Sequence, residues 1–133
     1  MHHIVYMSRA TKHLSSNELY KLCHQSANHN RDNSITGLLI YDGYRYMQLI
    51  EGKRGSVEGL MSRISSDGRH DHITYLSDTD VANRSFTGWA LTCLGFQENS
   101  TSAKLLADVK YKVRHMGNKD LMAAFIGFAA LAK

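Results

Sequence analysis

One stretch, ITGLLIYDGYRYMQLIEG from Ile35 to Gly52, does most to limit what this chain can become. Two runs rich in aromatic and branched apolar residues flank Asp42-Gly43, the strongest short-range hairpin signal a sequence offers. The runs do not alternate strictly. Leu38 and Ile40 stand beside Ile35 and Leu39, so both faces of the resulting sheet need cover. In the second run, alternation places Tyr44, Tyr46, Gln48 and Ile50 on one face and Met47 and Leu49 on the other.

The flanking segments fix the plan. His2 to Ser8 reads as a strand. Ser15-Ser16-Asn17-Glu18 is a capping box that starts a helix, and Leu19, Leu22, Cys23 and Ala27 carry it at helical spacing to about Asn30. After the hairpin, Val57, Leu60, Met61 and Ile64 recur at i, i+3, i+4 and i+7, and Gly68 ends that helix. His72 to Leu76 and Trp89 to Leu94 read as two further strands. The order β-α-β-β-α-β-β predicts an α+β fold, a ferredoxin-like sheet with two helices on one face. Lys104 to His115 and Leu121 to Leu131 predict two C-terminal helices, parted by Gly117-Asn118, that cover the other face. With 133 residues and no proline, repeat or low-complexity tract, the chain suits one compact unit. It divides into a core over 1–96 and a helical extension over 97–133 that packs on the sheet.

Charge narrows the partners. The net charge is +4, but lysines and arginines are scattered, and no run of five or six makes a nucleic-acid arm. The longest apolar stretch, Leu121 to Ala132, is too short for a bilayer. Two isolated cysteines, Cys23 and Cys93, and no apolar leader predict free thiols and a cytoplasmic protein. Eight histidines invite a metal, yet His2-His3 and the His70/His72 pair have no carboxylate or thiolate at ligand spacing, and none is expected. No phosphate loop, dinucleotide fingerprint or nucleophile elbow is present, so turnover is not expected.

Several polar residues sit where apolar ones would serve. Gln48 lies mid-strand, and a buried amide must be satisfied. Tyr6 lies centrally in the first strand. Ser26, His29 and Asn30 continue the apolar stripe of the first helix beyond Leu22 and Cys23. Each has two readings, as an ordinary core or helix-end residue or as the lining of a pocket for something planar and hydrogen-bonding. A ferredoxin-like sheet also leaves open an RNA-binding alternative, with Tyr44 and Tyr46 as its only aromatic platform.

Taken together these residues follow one pattern. Ile4-Val-Tyr-Met-Ser8, Ser26-Ala-Asn-His-Asn30, Ile35-Thr-Gly-Leu-Leu39, Tyr46-Met-Gln-Leu-Ile-Glu-Gly52, Asp67-Gly-Arg-His70 and Phe86-Thr-Gly-Trp89 resemble the BLUF family of blue-light sensors in order and spacing, over about residues 3–96. The resemblance implies a photoreceptor without turnover that binds an oxidised flavin, FAD or alternatively FMN or riboflavin, between its two core helices. It implies that Leu22 and Ile64 sandwich the ring. Ser26, His29 and Asn30 would line its polar edge, Arg69 would reach a ring carbonyl, and Asp67 and His70 would lie near the ribityl chain, with Lys53 or Arg54 toward the phosphates. Tyr6, Gln48 and Trp89 are the implied photochemical residues, with Tyr6 as electron and proton donor and Gln48 as the switch. Leu91 stands where the family usually has methionine, two residues after the tryptophan. Signalling would run through the last strand and C-terminal helices to a downstream protein partner, in a homo-oligomer.

Overall fold

The computed structural model describes residues 1–88, 90–95 and 101–132. The elements are β1 (His2–Ala10), α1 (Ser16–Asp32), β2 (Thr36–Tyr41), β3 (Arg45–Gly52), α2 (Arg54–Ser65), β4 (His70–Asp80), β5 (Thr92–Gly95), α3 (Ser102–Val113) and α4 (Lys119–Ala130). The strands form one sheet in the order β4-β1-β3-β2-β5, with β5 parallel to β2 and the other pairs antiparallel. This is the expected α+β ferredoxin-like plan with a strand appended.

The start of α1 is the expected capping box, in which the Ser15 Oγ accepts from Glu18 N–H and Glu18 reaches back to Ser15 N–H. The hairpin turns one residue later than its Asp-Gly signal suggests. Asp42 N–H donates to the Arg45 carbonyl at 3.1 Å, so Gly43 and Tyr44 are the central residues, with Gly43 at φ 94°. The Asp42 carboxylate causes the shift, accepting from the amides of Tyr44 and Arg45 and binding the Arg45 guanidinium. Gly37 allows β2 to lie close on β3, since a β-carbon there would meet the Leu49 carbonyl oxygen at 1.9 Å.

Two strands differ from expectation. β4 runs 11 residues, and its polar ends are held by pairs that no periodicity reveals. His2 bonds Asp80 and Asp78, His3 bonds Ser77, and Arg9 bonds Asp71. Its ladder with β1 shifts register twice, and His72 has φ 52°. The last strand begins at Thr92 rather than at Trp89, which lies outside the described residues.

Alternation divides the core as expected. Val5, Leu38, Ile40, Met47 and Leu49 point to one face and pack against Leu105, Val109 and Val113 of α3 and Leu121, Phe125 and Phe128 of α4. Complete burial of Phe125 alone stabilises this layer by roughly 1.5–3 kcal/mol. The opposite face carries two separate clusters. Ile4, Ile35 and Ile50 pack under Val57 and Met61 of α2, while Leu39, Tyr41 and Tyr46 pack under Leu19 of α1. Among the described residues no helix is long and apolar enough to cross a membrane.

Two ties hold the segment after β4. Glu51, fully buried, accepts from Thr36 Oγ1 and from the amides of Ser85 and Phe86, while Arg84 donates to the carbonyls of Ser34 and Glu51. Cys23 of α1 and Cys93 of β5 form a disulfide with a Cα separation of 6.2 Å. The expectation of free thiols is therefore corrected, and the argument from them to a reducing cytoplasm falls with it.

Candidate functional site

The two apolar clusters leave a cleft between α1 and α2. Its cavity, of about 210 Å³, is floored by Tyr6, Leu39, Tyr46 and Gln48 from three neighbouring strands. Leu22 of α1 and Ile64 of α2 stand on its opposite sides, each continuing the apolar stripe of its own helix. Ser26, His29 and Asn30 lie along the α1 wall, and Asp67, Arg69 and His70 line the end where the chain leaves α2. Ten of the eleven residues expected to form a site thus meet in one cavity. The eleventh, Trp89, lies outside the described residues.

Register explains the floor. Tyr6 pairs with Gln48 across β1 and β3, and Gln48 pairs with Leu39 across β3 and β2, so all three point to the same face. Tyr6 Oη donates to Gln48 Oε1 at 2.5 Å. Burial, then the neighbouring Tyr46 and Asp67, push the Tyr6 phenol far above its ordinary pKa, so it holds its proton. A phenol and an amide each offer a donor and an acceptor, so this pair stays bonded with the amide in either orientation.

Asn30, His29, Asp67, Arg69 and His70 have partners within the protein. Asn30, almost wholly buried, donates from Nδ2 to the Ala90 carbonyl at 3.0 Å, which draws the segment before β5 against the cavity. His29 faces Arg63 of α2 at 2.6 Å, a contact across the mouth, and burial and that guanidinium lower its pKa. Arg69 binds Asp67 through Nε and Nη2, holding the carboxyl below the usual carboxylate range. His70 is fixed by Ser8 Oγ at 2.7 Å and the Ile64 carbonyl at 2.6 Å. Tyr46 Oη differs from all of these, being buried without a hydrogen-bond partner.

Sequence reasoning missed Gln25, Leu39, Tyr46, Leu60 and Arg63 as cavity residues. Helical spacing from Leu22 and Ile64 could have found Gln25 and Leu60, and alternation had already put Tyr46 on the face of Gln48. Lys53 and Arg54 do not line the cavity, and Arg54 pairs with Glu58 instead. Leu91 is half-buried beside Leu22, Leu39 and Cys93. Among the described residues neither face of the sheet offers the open aromatic platform expected from Tyr44 and Tyr46, since Tyr46 lies under α1 and Tyr44 stands exposed at the hairpin tip. Among the described residues no group of three or more histidine, cysteine or acidic side chains could hold a metal ion.

An apolar-walled slot with a neutral polar floor suits a flat, uncharged, hydrogen-bonding ring system. Residues 1–92 match the family model for BLUF, sensors of blue-light using FAD. The chain belongs to the BLUF family. This BLUF chain is 30% identical over 90 residues to the beta subunit of the photoactivated adenylate cyclase of Euglena gracilis, an alignment spanning 67% of this chain and 10% of that protein. It spans about a tenth of the length of the curated relatives it matches. The dark-state structure of the BLUF protein BlrB superposes with a TM-score of 0.71 at 26% identity, over 97% of this chain and 95% of that one. Klebsiella pneumoniae BlrP1, solved with FMN and cyclic diGMP, superposes with a TM-score of 0.75 at 25% identity, over 95% of this chain and 34% of that one.

Proposed function

We propose that this chain is a blue-light receptor module that holds an oxidised flavin in the cleft between α1 and α2 and signals through Tyr6 and Gln48. The observation that carries the reading is the Tyr6 Oη to Gln48 Oε1 hydrogen bond on the floor of an apolar-walled cavity. A bound flavin supplies absorption of blue light and an excited state able to oxidise a nearby phenol. Tyr6 is the phenol within reach, and the acceptor for its proton is already in place on Gln48. The electron that the phenol gives up would go to the excited flavin, which would make the phenol O–H strongly acidic. Its proton would pass to Gln48 Oε1 as Gln48 Nε2 releases one toward the ring, leaving the amide neutral. Gln48 then reverses its donor and acceptor ends toward the cavity. The electron and a proton would return to Tyr6 afterwards. Leu22 and Ile64 exclude water from the two faces of the slot, and Ser26, His29, Asn30 and Arg69 fix orientation along its rim.

FAD is the flavin named by the family, and FMN or riboflavin would meet the same lining, because the cavity residues would surround a ring and the start of its side chain. Residues 1–96 make the sensing core. Residues 97–133 are the output extension, acting on a downstream protein or on a second copy of the chain. The Euglena relative is a photoactivated adenylate cyclase subunit of which this chain matches a tenth, which supports a role as an input module.

The test is absorption spectroscopy of purified protein before and after blue light. Wild type is expected to be yellow and to show a reversible red shift, and Gln48→Leu to bind flavin without shifting. A full shift in Gln48→Leu would refute the mechanism, and colourless protein that takes up no added flavin would refute the function.

A further inference from the structure

Tyr46 is the loose end of the cavity. Its ring packs between Tyr41, with centroids 5.0 Å apart, and His70 at 5.9 Å, and the residue is 4% exposed. Its hydroxyl is the single buried side-chain polar atom among the described residues with no hydrogen bond. Burial, then Tyr41, push its pKa up to about 12, so the hydroxyl carries a proton to donate. Buried polar groups in folded proteins are almost always bonded, so an exception beside a cavity points to a partner from that cavity, a water or a ligand.

The neighbours supply none. Both ring nitrogens of His70 are engaged, by Ser8 Oγ and the Ile64 carbonyl. The Asp67 carboxylate is taken by the guanidinium and amide of Arg69. Tyr41 Oη accepts from Leu14 N–H and donates to the Gly43 carbonyl. Gln48, whose Oε1 is bound to Tyr6, lies two residues along β3, about 6.6 Å away along the strand. Tyr46 therefore lies a further step along the floor from Gln48, at the Asp67, Arg69 and His70 end of the cavity.

We infer that Tyr46 is a ligand-binding residue whose hydroxyl donates a hydrogen bond to the polyol side chain of the bound flavin, a contact separate from those that hold the ring. The inference rests on the flavin reading above and adds a site for the non-chromophoric part of the ligand. The hydroxyl makes no bond within the protein, so its removal should cost the flavin-free state no stability.

Flavin-free protein, wild type and Tyr46→Phe, is titrated with riboflavin and with lumiflavin, which has the ring but no polyol, and melted without ligand. Tyr46→Phe is expected to weaken riboflavin binding about threefold to tenfold, the range for one hydrogen bond. Lumiflavin binding should not change, and the flavin-free variant should melt at the same temperature as wild type or higher. A purely structural hydroxyl would lower the melting temperature and affect both ligands alike. Unchanged riboflavin affinity, an equal loss for lumiflavin, or a lower melting temperature each overturns the assignment. Failure of wild type to take up either ligand overturns the flavin reading itself, and this inference with it.

Discussion

Glu51→Gln tests how the segment after β4 is held. Glu51 Oε1 accepts from the Phe86 amide at 2.7 Å and Thr36 Oγ1 at 3.1 Å, and Oε2 accepts from the Ser85 amide at 2.8 Å. Glutamine keeps the shape but must replace one oxygen by an NH₂ group, which then faces a backbone N–H instead of accepting from it. The residue is 0% exposed, so water cannot repair the loss. One charge-assisted bond to a buried carboxylate contributes about 1.5–3 kcal/mol, and the donor-to-donor contact puts the cost near the top of that range. For a chain of this length that lowers the melting temperature by roughly 6–10 °C. Thermal unfolding followed by circular dichroism measures it directly. The segment from Ser85 continues to Ala90, whose carbonyl takes the Asn30 amide, so the variant should also bind flavin more weakly. A melting temperature within about 1 °C of wild type would refute the reasoning.

Reduction of the Cys23–Cys93 link, which closes a loop with a sequence separation of 70, should lower stability by about 4 kcal/mol on the loop-entropy estimate, read as a shift in urea midpoint with and without reductant. Two thiols titrating in the unreduced, unfolded protein would show that the pair does not form. His2, clamped by Asp80 and Asp78, has its pKa raised above the ordinary value of about 6.5. Its contribution is therefore full below that value and is lost as pH rises through the raised pKa. Asp80, whose pKa is lowered by His2, sets the acid limit, where the contribution fades as pH falls through the carboxyl's own pKa. His2→Asn should flatten the stability profile above the ordinary histidine value of about 6.5, and parallel profiles for the two proteins would contradict the clamp.

Much of this molecule is written locally and is therefore readable. A capping box, an Asp-Gly hairpin and two apolar stripes are short-range signals, and they placed α1, the hairpin and α2, and with them Leu22, Ile64 and the strand face of Gln48. What stayed hidden depends on residues far apart in the chain. β4 extends to Asp80 because His2 at the start of β1 binds its carboxylates, while its own residues show no period. Cys23 and Cys93 read as isolated because only the sheet order brings β5 beside α1. Arg63 reads as a solvated helix position, and its contact with His29 exists only once the two helices face each other. Glu51 belongs to a motif legible in sequence, but its partners at Ser85 and Phe86 do not follow from spacing.

The strand that carries Gln48 is also part of the floor beneath α3 and α4. Met47 and Leu49, the immediate neighbours of Gln48, are wholly enclosed on the far side, in a layer packed too densely to absorb a displacement silently. Only one peptide plane separates the chamber from the terminal pair of helices. A shift of the β3 main chain by a fraction of an ångström would therefore register on both sides at once, with no chain of intermediate residues to carry it.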